Sequence, residues 1–205
     1  MKNKTKNSLI KNAVFVAVIA VLFITGAHTE VLAFVQRGIL QTGLMNPKVE
    51  QPAGYQSHHM DDSSLPEIKE KADLNLRLVD AQGKTMSLED FQGKAIFLNV
   101  WATWCPPCIA EMPGINELYK DVKDQNVEFV MLSVDEDFGK AVDFRENKNF
   151  EFNIYQLGGP MPSMYASRAI PTTYVIDAEG NLVLTHKGMG DFDTKEFREF
   201  LARIQ

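Results

Sequence analysis

Trp104-Cys105-Pro106-Pro107-Cys108 ends a nearly continuous apolar run, Lys94 to Trp101, and opens a helically periodic segment from Ile109 to about Asp124. These are the only two cysteines in 205 residues, and Cys-x-x-Cys is the spacing that closes a small redox-active disulfide. The apolar run reads as a central strand buried on both faces. In open α/β sheets the chemistry sits beyond the carboxyl end of such a strand, which is where the cysteines lie. Cys105 and Cys108 are therefore candidate catalytic residues, a redox pair with no further thiol to staple.

Other uses of two cysteines fit less well. A structural zinc site takes four ligands, and beyond the pair the only neighbouring histidines are His58-His59, adjacent in a polar stretch, so no metal is expected. Covalent haem attachment needs a histidine directly after the second cysteine, and position 109 is isoleucine. A copper-binding chaperone remains as a non-enzymatic alternative, with the sulfurs as soft ligands and His186 or Met189 assisting. A thiol peroxidase is a further alternative, weakened because Ala102, three residues before Cys105, is not a hydroxyl residue. No cofactor is expected.

Outward from the pair, the chain alternates strands and helices. Leu74 to Asp80 and Thr85 to Leu88 flank Ala81-Gln82-Gly83 as a hairpin. After the helix that starts at the cysteines come a strand at Val127 to Val134, a helix at Phe138 to Lys148 and a short strand at Ile154 to Leu157. Pro171 to Asp177 and Leu182 to His186 form a second hairpin, and Thr194 to Ile204 closes the chain as an amphipathic helix. With two parallel crossovers, each expected to be right-handed, this is an α/β domain.

A hydrophobic content of 45% supports one core-forming domain with an appendage, and the net charge of -6 invites no nucleic acid. The appendage is N-terminal. Lys2, Lys4, Lys6 and Lys11 precede the apolar run Ala13 to Thr25, with no acidic residue before Glu30, the asymmetry of a segment whose N-terminus stays in the cytoplasm. Residues 1–45 are read as a membrane anchor, or a cleaved signal peptide, followed by a helix from Val31 to Met45 that lies along the interface or docks on the domain. Residues 46–66 have linker composition, and residues 67–205 form the domain.

The stretch from Phe97 to Cys108, with Ala110-Glu111-Met112-Pro113, Ile170-Pro171-Thr172-Thr173 and Asp177 through Gly188, resembles the thioredoxin superfamily over about Leu65 to Gln205. Within it the chain is most similar to the TlpA-like, ResA-like branch of membrane-anchored envelope proteins. The resemblance implies a thioredoxin-like fold: a central mixed sheet flanked by helices, an N-terminal hairpin, and an added helix and strand between Val134 and Ala169. It also implies a thiol-disulfide oxidoreductase, monomeric, fed by an upstream transmembrane electron donor and acting on disulfide-bearing envelope proteins, for example in cytochrome c maturation. The catalytic domain would lie outside the inner membrane.

At the N-terminus of its helix, Cys105 would attack as a thiolate favoured by free amides and the dipole. Cys108, one turn in and shielded, would resolve. Pro106 and Pro107 have no amide hydrogen to offer Cys105, so limited thiolate stabilisation and a reducing character are expected. Glu111 either disfavours a nearby thiolate or points into solvent, and the resemblance implies a role in proton handling. Asn99 stands where thioredoxins usually have a buried acid. The resemblance also implies a cis peptide at Ile170-Pro171 facing the pair. Gly188 lets substrate backbone approach or is a plain turn glycine; Trp104 packs beside the disulfide, and Trp101 belongs to the core.

Overall fold

The computed structural model describes residues 11–18, 20, 27–40, 47 and 70–205. Its elements are helix α1 (Ala27–Leu40), strands β1 (Arg77–Asp80), β2 (Thr85–Ser87) and β3 (Ala95–Trp101), helix α2 (Pro106–Val122), β4 (Val127–Ser133), α3 (Phe138–Asn147), β5 (Ile154–Leu157), β6 (Thr172–Ile176), β7 (Leu182–Lys187) and α4 (Lys195–Arg203). The strands make one mixed sheet in the order β2-β1-β5-β4-β3-β6-β7.

Every residue of β3 is buried, because the strand lies inside the sheet, parallel to β4 and antiparallel to β6. Alternation along it divides the core. Ala95, Phe97 and Trp101 pack with Met112, Ile115 and Leu118 of α2 and with Phe197, Phe200 and Leu201 of α4. Ile96, Leu98 and Val100 face the other layer, built from Leu76, Leu78, Tyr165, Tyr174 and Ile176. Asn99 shares the α2 side of the strand with Phe97 and Trp101, a polar residue at 0% exposure among aromatic neighbours.

Helix starts follow their capping residues. Thr194 accepts from the Phe197 N–H to begin α4, and Asp137 accepts from the Gly139 N–H to begin α3. The first strand is shorter than the apolar pattern suggests. The Leu74 and Leu76 carbonyls accept from Glu89 and Leu88, so that stretch bonds to a turn instead of extending the ladder.

Helix α1 both docks and exposes apolar surface. Its Ala33 and Leu40 pack on Ile109 and Ala110 of α2 and on Met189, with Phe144 alongside. Val31, Leu32, Phe34, Val35 and Ile39 are exposed. It begins earlier than the Val31 of the Val31 to Met45 expectation, and residues 41–45 of that expectation lie outside the described residues. Residues 11–18 are also helical, with Val14, Phe15, Val16 and Val18 exposed. Among the described residues no helix is long and apolar enough to cross a membrane. The 46–66 linker, with His58 and His59, lies outside the described residues apart from Pro47.

Candidate active site

The Cys105 and Cys108 sulfurs are bonded at 2.08 Å, with their Cα atoms 5.3 Å apart. Cys105 is the N-cap of α2, in extended backbone geometry, and Pro106 and Pro107 occupy the first helical positions, where a missing N–H costs nothing. The first available amide is that of Cys108, and it donates to Cys105 Sγ at 3.2 Å. As expected, the two prolines withhold an amide from Cys105, and a free amide of the helix start, that of the next residue, takes their place. The division into exposed and shielded sulfur is narrower than expected. Cys105 is 4% exposed and Cys108 0%, and Cys105 Sγ lies 3.8 Å from the Ile170 carbonyl oxygen.

Asp135 holds the chain just before Cys105. Its carboxylate accepts from the Thr103 N–H at 3.0 Å, from the Thr103 hydroxyl at 2.7 Å and from the Ser133 hydroxyl at 2.8 Å. Asp135 lies two residues beyond the end of β4, and no motif in the sequence signals it. Asp135→Ala strands three donors in a half-buried setting and is expected to cost about 1–3 kcal/mol, read as a lower denaturant midpoint with unchanged slope. An unaltered midpoint would show that solvent replaces the carboxylate. Trp101 is core, at 0% exposure with its ring 5.7 Å from Phe144. Trp104 is 60% exposed, so it presents a contact surface beside Cys105 and is not packed down.

Opposite the pair, the Ile170–Pro171 peptide bond is cis. The Gly188 N–H donates to the Pro171 carbonyl at 2.8 Å, tying β7 to the loop before β6. Gly188 has φ +95°, and a Cβ there would meet nothing within 4 Å. Backbone conformation, not crowding, therefore demands glycine. His186 Nε2 lies 3.3 Å from the Met189 carbonyl oxygen, while the Met189 side chain is packed with α1 and α2.

Glu111 is 2% exposed, which removes the solvent-facing reading. It projects from α2, three residues after Cys108, toward β3 and the loop after β7. Asn99 Nδ2 donates to its Oε1 at 2.8 Å, and the Gly190 N–H donates to its Oε2 at 2.9 Å. Desolvation raises its pKa from the ordinary carboxyl range to about 8, with the Gly190 and Asn99 hydrogen bonds pulling weakly the other way. Positions i and i+3 are neighbours on a helix, so a carboxyl group that titrates near neutrality stands beside the second cysteine. Thr173 joins the group through its hydroxyl, 2.9 Å from Asn99 Nδ2. The sequence reading noted Asn99 as a departure but not Thr173, which faces it across the ladder.

The AhpC/TSA family model matches residues 65–185. Thiol-disulfide oxidoreductase ResA of Bacillus thuringiensis subsp. konkukian is 37% identical over 132 residues, spanning 63% of this chain and 75% of that protein. ResA of Halalkalibacterium halodurans is 34% identical over 149 residues, 72% and 84% of the respective chains. Among solved structures, a candidate thiol:disulfide interchange protein DsbE from Chlorobium tepidum superposes with a TM-score of 0.59 at 27% identity, covering 67% of this chain and 97% of that one. The arrangement of residues is a disulfide at a helix start, backed by a buried acid.

Proposed function

Because the chain belongs to the AhpC/TSA family and is a thiol-disulfide oxidoreductase of the ResA-like kind, we propose that it is a membrane-tethered reductant of disulfides in extracytoplasmic proteins, apocytochromes among them. The observation that carries this reading is the Cys105–Cys108 bond at the start of α2, with the Cys108 N–H on Cys105 Sγ.

The cycle starts from the dithiol. Cys105, as thiolate, attacks one sulfur of a substrate disulfide; a new Cys105–substrate bond forms and the other substrate sulfur leaves with the electron pair. Cys108 then loses its proton to Glu111 and attacks Cys105 Sγ, so the Cys105–substrate bond breaks and the substrate sulfur that Cys105 had attacked departs as thiolate. The substrate gains two electrons and the enzyme becomes the disulfide. A transmembrane electron donor returns it to the dithiol.

One feature favours the reducing direction. Among the described residues a single backbone amide, and no cationic side chain, donates to Cys105 Sγ, and it is neighbouring cations that lower a thiol's pKa furthest. Strong oxidants of this chemistry have a stabilised reduced form, which one neutral donor supplies only modestly. The tether rests on the lysine-rich start of the chain, the exposed apolar side chains of residues 11–18 and the exposed apolar face of α1. The extracytoplasmic domain then has its electron donor in the same membrane.

The test is the redox state of the pair in intact cells, trapped by acid quenching and alkylation, together with membrane fractionation. The expected result is a membrane-bound protein held mostly as dithiol, turning to disulfide when transmembrane electron supply is cut. A protein held mostly as disulfide while supply is intact would reverse the assigned direction.

A further inference from the structure

The buried group around Glu111 contains one unmet polar atom. Asn99 Nδ2 spends both of its N–H donors, on Glu111 Oε1 at 2.8 Å and Thr173 Oγ1 at 2.9 Å, while Asn99 Oδ1 is buried without a hydrogen-bond partner. That arrangement suits an ionised Glu111, which only accepts. It does not suit a carboxylic acid. Each carboxyl oxygen receives one N–H, Oε1 from Asn99 and Oε2 from Gly190; the acid's O–H needs an acceptor, and of the two donors only the Asn99 side chain can be exchanged for one, because the Gly190 N–H is backbone.

Rotating the amide by half a turn about χ2 exchanges oxygen and nitrogen with almost no change of shape. Oδ1 then stands where Nδ2 stood, within reach of the Glu111 O–H and the Thr173 O–H. A carbonyl oxygen has two lone pairs, and both donors can use it. The turn leaves the two Nδ2 hydrogens where Oδ1 stood, without a partner, so it is favoured only while the Glu111 proton is bound, and Thr173 changes from acceptor to donor with it.

We propose that Asn99 is a positioning residue for the proton step at Glu111, its amide presenting Nδ2 to the carboxylate and Oδ1 to the carboxylic acid, with the Thr173 hydroxyl following. This rests on the reading that Glu111 takes the proton of Cys108 during resolution. In that step the Cys108 S–H proton moves to Glu111 Oε1 as the sulfur pair forms the bond to Cys105 Sγ. The Cys105–substrate bond breaks, and the substrate leaves as thiolate with that electron pair. The proton passes from Glu111 to the departing thiolate or to solvent, and Asn99 turns back.

The titratable groups around Glu111 come from each neighbouring element. Cys105 and Cys108 lie on α2 itself, and His186 contacts the Met189–Gly190 segment. Asp191 and Asp193, the latter bound by Arg198, lie against Gly114. Arg37 is carried by α1, which packs on Ile109 and Ala110. From β3 and β6 the facing groups, Asn99 and Thr173, are uncharged. Burial dominates the carboxyl's proton affinity, and hydrogen bonds alone oppose it.

The experiment follows the Asn99 side-chain amide and the Glu111 carboxyl carbon by NMR in the full-length oxidised chain in detergent micelles, from about pH 5 to about pH 10. The expected result is one shared midpoint, at which the Asn99 N–H signals change from hydrogen-bonded shifts to unbonded ones as pH falls. In Glu111→Gln the Asn99 signals become independent of pH. Asn99→Leu raises the Glu111 midpoint by about one pH unit, a tenfold gain in proton affinity, because a donor to a charged acceptor is lost. The pH profile of Cys108 alkylation in the reduced protein moves with it, which a merely structural role would not produce. The wild-type titration tests the flip even if Asn99→Leu fails to fold. A Glu111 midpoint near 8 with Asn99 signals that stay hydrogen-bonded overturns this proposal and leaves the Glu111 reading standing. A Glu111 midpoint in the ordinary carboxyl range overturns both.

Discussion

Cys105→Ser is expected to lower disulfide reduction by about three orders of magnitude or more, the scale on which loss of a catalytic nucleophile is felt. A serine hydroxyl is a far weaker nucleophile than a thiolate, and the remaining thiol is poorly placed to substitute. Cys108 has 0% exposure and lies one helical turn inside α2. Cys105 caps the helix, receives the Cys108 amide and lies beside the Ile170 carbonyl. The reciprocal variant has a different signature. Cys108→Ser retains the attacking sulfur but has no resolving one, so the enzyme accumulates as a mixed disulfide with its substrate, visible as a reductant-sensitive band on a non-reducing gel. If Cys105→Ser traps the partner and Cys108→Ser does not, the assignment of roles is inverted.

Glu111→Gln should stabilise the folded protein at neutral pH while slowing its chemistry. The folded carboxyl has its pKa raised from 4.5 to about 8. Between those values the unfolded chain has released the proton and the folded chain retains it. The folded state binds more protons there, so stability falls as pH rises through the window. At the upper end burial of this one acid costs roughly a few kcal/mol. Glutamine keeps an oxygen for the Gly190 N–H and carries no charge to desolvate, so the cost disappears. Denaturant unfolding at pH 5 and pH 8 checks this: the wild type should lose stability between them and the variant should not. Equal slopes would show that Glu111 is ionised in the folded protein throughout. Removing the acid also removes the acceptor for the Cys108 proton, and resolution should slow by about 10²-fold or more, seen as a slower decay of the mixed disulfide in single-turnover quenching.

Much of this was readable in advance because it depends on local pattern. The buried β3, the helix beginning at the cysteines and the closing amphipathic helix follow from periodicities of two and 3.6 residues. The ends of elements were less legible. The stretch before β1 has an alternating pattern, but its carbonyls are used by Leu88 and Glu89, a competition invisible from the stretch itself. Helix α1 was legible as amphipathic, yet which of its faces meets the domain depends on Ile109, Ala110 and Met189, residues that are distant in the chain.

The site divides in the same way. The redox pair is determined by the sequence, since two cysteines at this spacing and no others leave one pairing within the chain. The properties of that pair come from the tertiary structure. Asn99, Glu111, Thr173 and Gly190 belong to a strand, a helix, another strand and a loop. Only packing brings them into one buried cluster, and it is burial, a collective result of the whole fold, that changes an ordinary glutamate into an acid able to hold a proton near neutrality.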